Sequence, residues 1–152
     1  MDKDKFNEII DFAVAREKEA VKFYQDLQKM VTFKSRQKVL KGYEEIEKTH
    51  IVILEDIRKN IKKNIESPLP EIQDLVISNY LVETKPTDDM TYQDILITAM
   101  KREEKATQLY TKLASEAADG QVKKLFQKLA NEESKHKLYF EKVYDEEVLT
   151  EN

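Results

Sequence analysis

Glu47-Lys48-Thr49-His50 and Glu133-Ser134-Lys135-His136 decide how this 152-residue chain is read. They contain its only two histidines, each three residues after a glutamate, and they stand 86 positions apart. At the same offset Glu17 maps onto Glu103. Each of those is followed by an alanine three residues on (Ala20, Ala106) and a tyrosine seven residues on (Tyr24, Tyr110). In an α-helix, residues three apart share a face and lie about 4.5 Å apart along the axis. Each Glu-x-x-His therefore presents a carboxylate and an imidazole in one direction.

Working outward, the apolar residues around these stretches step by threes and fours, the period of an amphipathic helix. Phe6, Ile10, Ala13, Ala20, Tyr24, Leu27 and Val31 mark a first helix from about Phe6 to Met30, with Glu17 in the one wide gap. Val39, Tyr43, Ile46, Leu54, Ile57 and Ile61 mark a second, from about Arg36 to Ile61, with Glu47 and His50 on the stripe. Gly42 within it is a candidate for close helix approach. Leu96, Ala99, Ala106, Tyr110, Leu113 and Ala117 mark a third, opening near Thr91 and carrying Glu103. Thr91 with Asp94 resembles a capping box. Val122, Phe126, Leu129, Phe140 and Val143 mark a fourth, from about Gln121 to Asp145, with Glu133 and His136 mid-stripe; the tail beyond Glu146 is expected to fray. Turns are expected at Thr32 to Ser35 and at Ala118-Asp119-Gly120. Between the pairs, Pro68, Pro70 and Pro86 punctuate a long connection with room for a short helix from Ile72 to Leu81.

The expected fold is all-α: an antiparallel four-helix bundle of two pseudo-symmetric hairpins. It forms one domain over residues 1–152, with hairpin repeats at 4–62 and 90–147 joined by a crossover at 63–89. The hairpins pass a geometric test. Residues equidistant from a turn share a level in an antiparallel pair. The midpoint of Glu17 and Glu47 is residue 32, and that of Glu103 and Glu133 is residue 118, each inside an expected turn. Each half thus delivers Glu plus Glu-x-x-His to one level.

Composition narrows the function classes. Charged residues make up 37% and hydrophobic residues 40%, with two glycines and no tryptophan, which suits long helices rather than a many-turned β fold. The net charge of −4 is spread among interspersed acids and bases, with no basic stripe for nucleic acid. The chain has no cysteine, hence no disulfide, no thiolate metal site and no thiol nucleophile. No apolar run approaches the roughly 20 residues of a membrane span, and a cytoplasmic location is expected.

Glutamates on an apolar stripe break the helix pattern, the kind of local violation that marks a functional site. Four such carboxylates, with nothing basic on the stripes, cost several kcal/mol per ion if uncompensated. Two divalent cations would cancel that charge, and neutral imidazoles would add nitrogen ligands. An oxygen-rich, sulfur-free set with two nitrogens suits iron or manganese. Glu17, Glu47, His50, Glu103, Glu133 and His136 are therefore the expected metal ligands. Tyr24 and Tyr110, two turns along from Glu17 and Glu103, are candidates to hydrogen-bond a ligand carboxylate. Glu44, Glu104 and Glu132 are expected to face solvent.

These residues resemble the rubrerythrin branch of the ferritin-like superfamily. The matching stretches are Arg16-Glu17-Lys18-Glu19-Ala20 through Tyr24, Glu44-Glu45-Ile46-Glu47-Lys48-Thr49-His50, Arg102-Glu103-Glu104-Lys105-Ala106 through Tyr110, and Asn131-Glu132-Glu133-Ser134-Lys135-His136. The resemblance implies a non-haem di-iron centre of two iron ions, with manganese as the alternative. Glu47 and Glu133 would bridge, Glu17 and Glu103 would be terminal ligands, and His50 and His136 would each bind one ion. It further implies reduction of hydrogen peroxide or dioxygen, and a homodimer. With no cysteines for a rubredoxin domain, electrons would come from an external donor such as a rubredoxin-like protein. Rubrerythrins usually carry another glutamate where this chain has Ala106, and Ala20 is its pseudo-symmetric partner. That departure brings the ligand set nearer to a ferroxidase centre. The alternatives are accordingly a ferroxidase or iron-storage protein, or a metal-stabilised bundle without turnover.

Overall fold

The computed structural model describes residues 1, 3–63, 69–70, 72, 75–82 and 90–149. It is all-α, with four long helices and, among the described residues, no strand. They are α1 (Lys3–Met30), α2 (Lys34–Lys63), α3 (Tyr92–Glu116) and α4 (Gly120–Tyr144). The chain divides into two compact units, Met1–Gln73 and Asp74–Asn152, each built on one helix hairpin.

In the first unit α1 pairs with α2 across a connection at residues 31–33. Val31 N–H donates to the Leu27 carbonyl at 3.2 Å, and the Gln37 side-chain amide donates to the Val31 carbonyl at 2.6 Å. The core face of α1 is the expected one: Phe6, Ile10, Ala13, Glu17, Tyr24 and Leu27 are buried, and only Ala20 is half-buried. Asp4 in the first turn favours the positive end of the helix dipole, and α1 starts at Lys3, ahead of the expected Phe6.

The face of α2 differs from the expectation. Its buried stripe is Leu40, Glu44, Glu47, His50, Leu54 and Ile57, whereas Val39, Tyr43 and Ile46 are half-buried. Apolar residues at both 39 and 40, and at 43 and 46, allow two stripes a residue apart. Following hydrophobicity alone picks the one that avoids Glu44. Gly42 is exposed, and a Cβ there would meet nothing within 4 Å, so it permits no close approach. The side chain of Ile61 lies outside the described set.

In the second unit α3 pairs with α4 across residues 117–119. Thr91 caps α3 as expected. Asp94 N–H donates to Thr91 Oγ1 at 3.1 Å, and Thr91 N–H donates to Asp94 Oδ2 at 3.2 Å. Asp119 caps α4, accepting from the N–H groups of Gln121 at 2.8 Å and Val122 at 3.0 Å. Leu96, Ala99, Glu103, Tyr110 and Leu113 of α3 are buried, as are Phe126, Leu129, Glu133, His136, Phe140 and Val143 of α4.

Among the described residues, the expected short helix from Ile72 to Leu81 reduces to one 3-10 turn, Ile77–Tyr80. Val76 before it is extended and provides no side-chain cap, so nothing at that end favours a longer helix. Most of the expected crossover lies outside the described residues. Beyond α4 the chain forms a π-helical turn, Asp145–Leu149, where fraying from Glu146 was expected. The Gln93 side-chain amide donates to the Tyr144 hydroxyl at 3.1 Å, tying that end of α4 to the start of α3.

Candidate metal centre

Both connections are centred where the hairpin test requires, at residues 32 and 118. Consequently each hairpin gathers its own trio. In the first, His50 Nδ1 stands 3.5 Å from Glu17 Oε2 and 3.9 Å from Glu47 Oε1. In the second, His136 Nδ1 stands 3.6 Å from Glu103 Oε2 and 4.0 Å from Glu133 Oε1. Within each trio one donor atom per residue lies within 4.8 Å of the others, and all six residues are buried. Glu47 and His50 are 0% exposed.

Two readings of such a trio are open to chemistry: a protonated histidine paired with carboxylates, or a cation cradle. Nitrogen-to-oxygen hydrogen bonds run about 2.7–3.2 Å. The four distances above are longer. Two donors each about 2.0–2.2 Å from one ion stand roughly 2.8–3.6 Å apart at angles of ~90–110°. The 3.5 and 3.6 Å spacings between hairpin partners fall in that range, and the 3.9 and 4.0 Å spacings within each Glu-x-x-His lie just beyond it. The donor chemistry agrees. Two carboxylates and an imidazole, with no sulfur, suit iron or manganese, and a divalent ion offsets the charge of burying two carboxylates in each hairpin.

Tyr24 and Tyr110 are each 1% exposed. The Tyr24 ring meets Tyr43 edge-on at 5.8 Å between centroids, and Tyr110 stacks on Phe126 at 6.4 Å. Both rings are thus core residues by packing, whatever their hydroxyls do. Among the three glutamates expected to face solvent, Glu104 is exposed and Glu132 half-buried.

Glu44 corrects the expectation: its side chain is 3% exposed. Its carboxylate accepts hydrogen bonds from the Gln28 amide at 2.9 Å and the Gln25 amide at 3.2 Å, both on α1. Lys48 Nζ stands 2.8 Å from it and Lys41 Nζ 3.2 Å, both on α2. Lys48, above all, lowers the Glu44 carboxyl from its ordinary 4.5 to about 2; burial opposes this, and Gln28, Gln25 and Lys41 add to it. A buried carboxylate with four donors is satisfied without a metal. The spacing of Gln25 and Gln28, and of Lys41, Glu44 and Lys48, was visible in the sequence. Only the pairing of α1 with α2 brings the two sets together.

The rubrerythrin family model matches residues 94–152, the stretch that holds Glu103, Glu133 and His136. A hypothetical protein from Pyrococcus furiosus resembles the chain with a TM-score of 0.69 at 23% identity, covering 92% of this chain and 88% of that one. At that identity the likeness is one of fold. No curated protein matches the chain. No described helix is long and apolar enough to cross a membrane.

Proposed function

We propose that this rubrerythrin-like chain is a di-iron carboxylate oxidoreductase that reduces hydrogen peroxide or dioxygen. The observation that carries the reading is the repeat of one buried trio, two glutamates and a histidine, in both hairpins. Each hairpin would hold one ion: Glu17, Glu47 and His50 in the first, Glu103, Glu133 and His136 in the second. Manganese would accept the same donors.

Bound iron would supply redox equivalents in pairs, which is what conversion of peroxide and two protons to two waters consumes. The chain itself would aim each imidazole at the ion, to which the ring offers a nitrogen lone pair. The Glu-x-x-His spacing does this by fixing carboxylate and imidazole on one helix face. Burial of all six side chains keeps bulk water from competing for the donors. Tyr24 and Tyr110 would hydrogen-bond ligand carboxylates and hold their orientation. Reducing equivalents would arrive from an external donor such as a rubredoxin-like protein. The chain would act as a homodimer.

Mixing the ferrous protein with peroxide and, separately, with dioxygen in a stopped-flow spectrometer tests this. Faster oxidation by peroxide, followed by re-reduction and further turnover, is the expected result. A second reading, ferroxidase or iron storage, is favoured by Ala106, which stands where rubrerythrins usually carry another glutamate. Faster oxidation by dioxygen with release of ferric ion would select it. Protein that takes up neither iron nor manganese would end both readings.

A further inference from the structure

The two trios match in distance within each hairpin, but their surroundings do not. One turn before Glu47, Glu44 joins α1 to α2 through hydrogen bonds to Gln25 and Gln28. Those two residues are three apart on α1 and therefore share a face. Sliding or rotating α1 against α2 would lengthen both bonds at once. Lys41 and Lys48, 55% and 45% exposed, hold the carboxylate from the α2 side.

At an offset of 86 the corresponding residues are Thr111, Ala114, Gln127, Ala130 and Ser134. No carboxylate stands among them. Instead the second hairpin has an open pocket of about 510 Å³, lined by Thr111, Ala114, Gln127 and Ala130 together with Ser115, Lys123 and Asn131. Four of the five positions that build the Glu44 network in one hairpin thus border a pocket in the other.

We infer that Glu44 is a positioning residue for the first trio, acting as a buried cross-helix clamp whose five positions have no charged counterpart at the 86-residue offset, so that the two hairpins differ in how firmly they hold an ion. The first trio is held in register before any ion arrives. The second has the partly exposed Lys137–Glu104 pair at 3.8 Å beside it, a looser tie between α3 and α4, and would hold an ion less firmly. This inference rests on the metal reading above, and the metal is where it is measured.

The test uses full-length protein in two backgrounds, titrated with cobalt(II) and followed by its visible absorption. His136→Ala leaves the first trio intact, and His50→Ala leaves the second. Adding Glu44→Ala to the first background is expected to weaken cobalt binding several-fold, less than the ~10–100-fold for loss of a group bonded directly to a ligand. Adding it to the second should leave binding unchanged. Glu44→Gln, which keeps a carbonyl oxygen for the two glutamines, should recover part of the loss. The reverse graft, Thr111→Gln with Ala114→Gln and Ala130→Glu, should tighten binding in the second background.

Equal weakening in both backgrounds would mean general destabilisation and would overturn the inference, as would no weakening in the first. Amide hydrogen exchange on metal-free protein supplies the independent arm. Glu44→Ala should speed exchange around Glu47 to His50 and leave Glu133 to His136 as it was. If cobalt binds in neither background, the metal reading falls. Exchange alone then decides whether the clamp exists, and unchanged exchange around Glu47 would sink that too.

Discussion

The two hairpins carry the same ligands and different scaffolding. His50 and His136 meet their glutamates at distances that agree within 0.1 Å, 3.5 and 3.9 Å against 3.6 and 4.0 Å. Yet a five-residue polar network braces one hairpin where the other has a pocket. Ligand positions are set locally, by the three-residue step along a helix and by the centre of each connection. Bracing depends on which long side chains the opposite helix offers, and nothing in the ligand pattern demands that it be repeated.

The most severe way to break the comparison is to remove a ligand from either side. Glu47→Ala or Glu133→Ala should cost more in metal affinity than the ~10–100-fold typical of an outer partner. Peroxide turnover should fall to background in both, as read by metal analysis and a peroxide-consumption assay. A loss confined to one hairpin's variant would show that the trios are not equivalent in function.

Stripping metal with a chelator should come next in size. An ion at 100 times its dissociation constant adds about 2.7 kcal/mol to folding. At about 2–4 °C per kcal/mol for chains of this size, that is a fall of roughly 5–11 °C in Tm by calorimetry. No change in Tm between chelated and iron-loaded protein would count against both trios at once.

Glu44→Ala separates the hairpins without touching a trio. It removes the Glu44 acceptor from the Gln25 and Gln28 amides, of which Gln28 keeps the Tyr24 carbonyl at 3.0 Å, a loss of about 1–3 kcal/mol in urea unfolding. The same network predicts a pH effect. The folded carboxyl titrates at about 2, below its ordinary 4.5. Its contribution is therefore complete above about pH 4.5 and is lost as the pH falls from there toward 2. Stability of the wild type and of Glu44→Ala should converge over that window. A constant gap down to pH 2 would contradict the assigned network. The smallest effect belongs to the second hairpin. Asp119→Ala removes the cap of α4 and should cost about 1 kcal/mol. If the connection at residues 117–119 sets the height of Glu133, cobalt affinity of the second trio should fall with it, and an unchanged affinity would show that the cap serves stability alone.

Much of this was legible in the sequence because helical periodicity and the symmetry of a hairpin are one-dimensional. The step of three places glutamate and histidine on one face wherever the helix is intact. The midpoint rule then predicted that Glu17 would meet Glu47 and that Glu103 would meet Glu133, and the connections fall on those midpoints. Burial of α1, α3 and α4 followed the apolar stripe for the same reason, apart from the half-buried Ala20, Ala106, Ala117 and Val122. α2 did not, because it offers apolar residues on two adjoining stripes and the buried one includes a charge.

Glu44 shows where local reading stops. A glutamate next to Glu45, three residues before Glu47, looks like any solvated acid on a charged helix. The sequence by itself determined the four helices, the repeat and the six candidate ligands, since each depends on spacing along one strand of backbone. Only the tertiary structure decided that Glu44 is buried and that Ala130 borders a pocket. Both depend on long side chains from a neighbouring helix that spacing along the chain does not bring together.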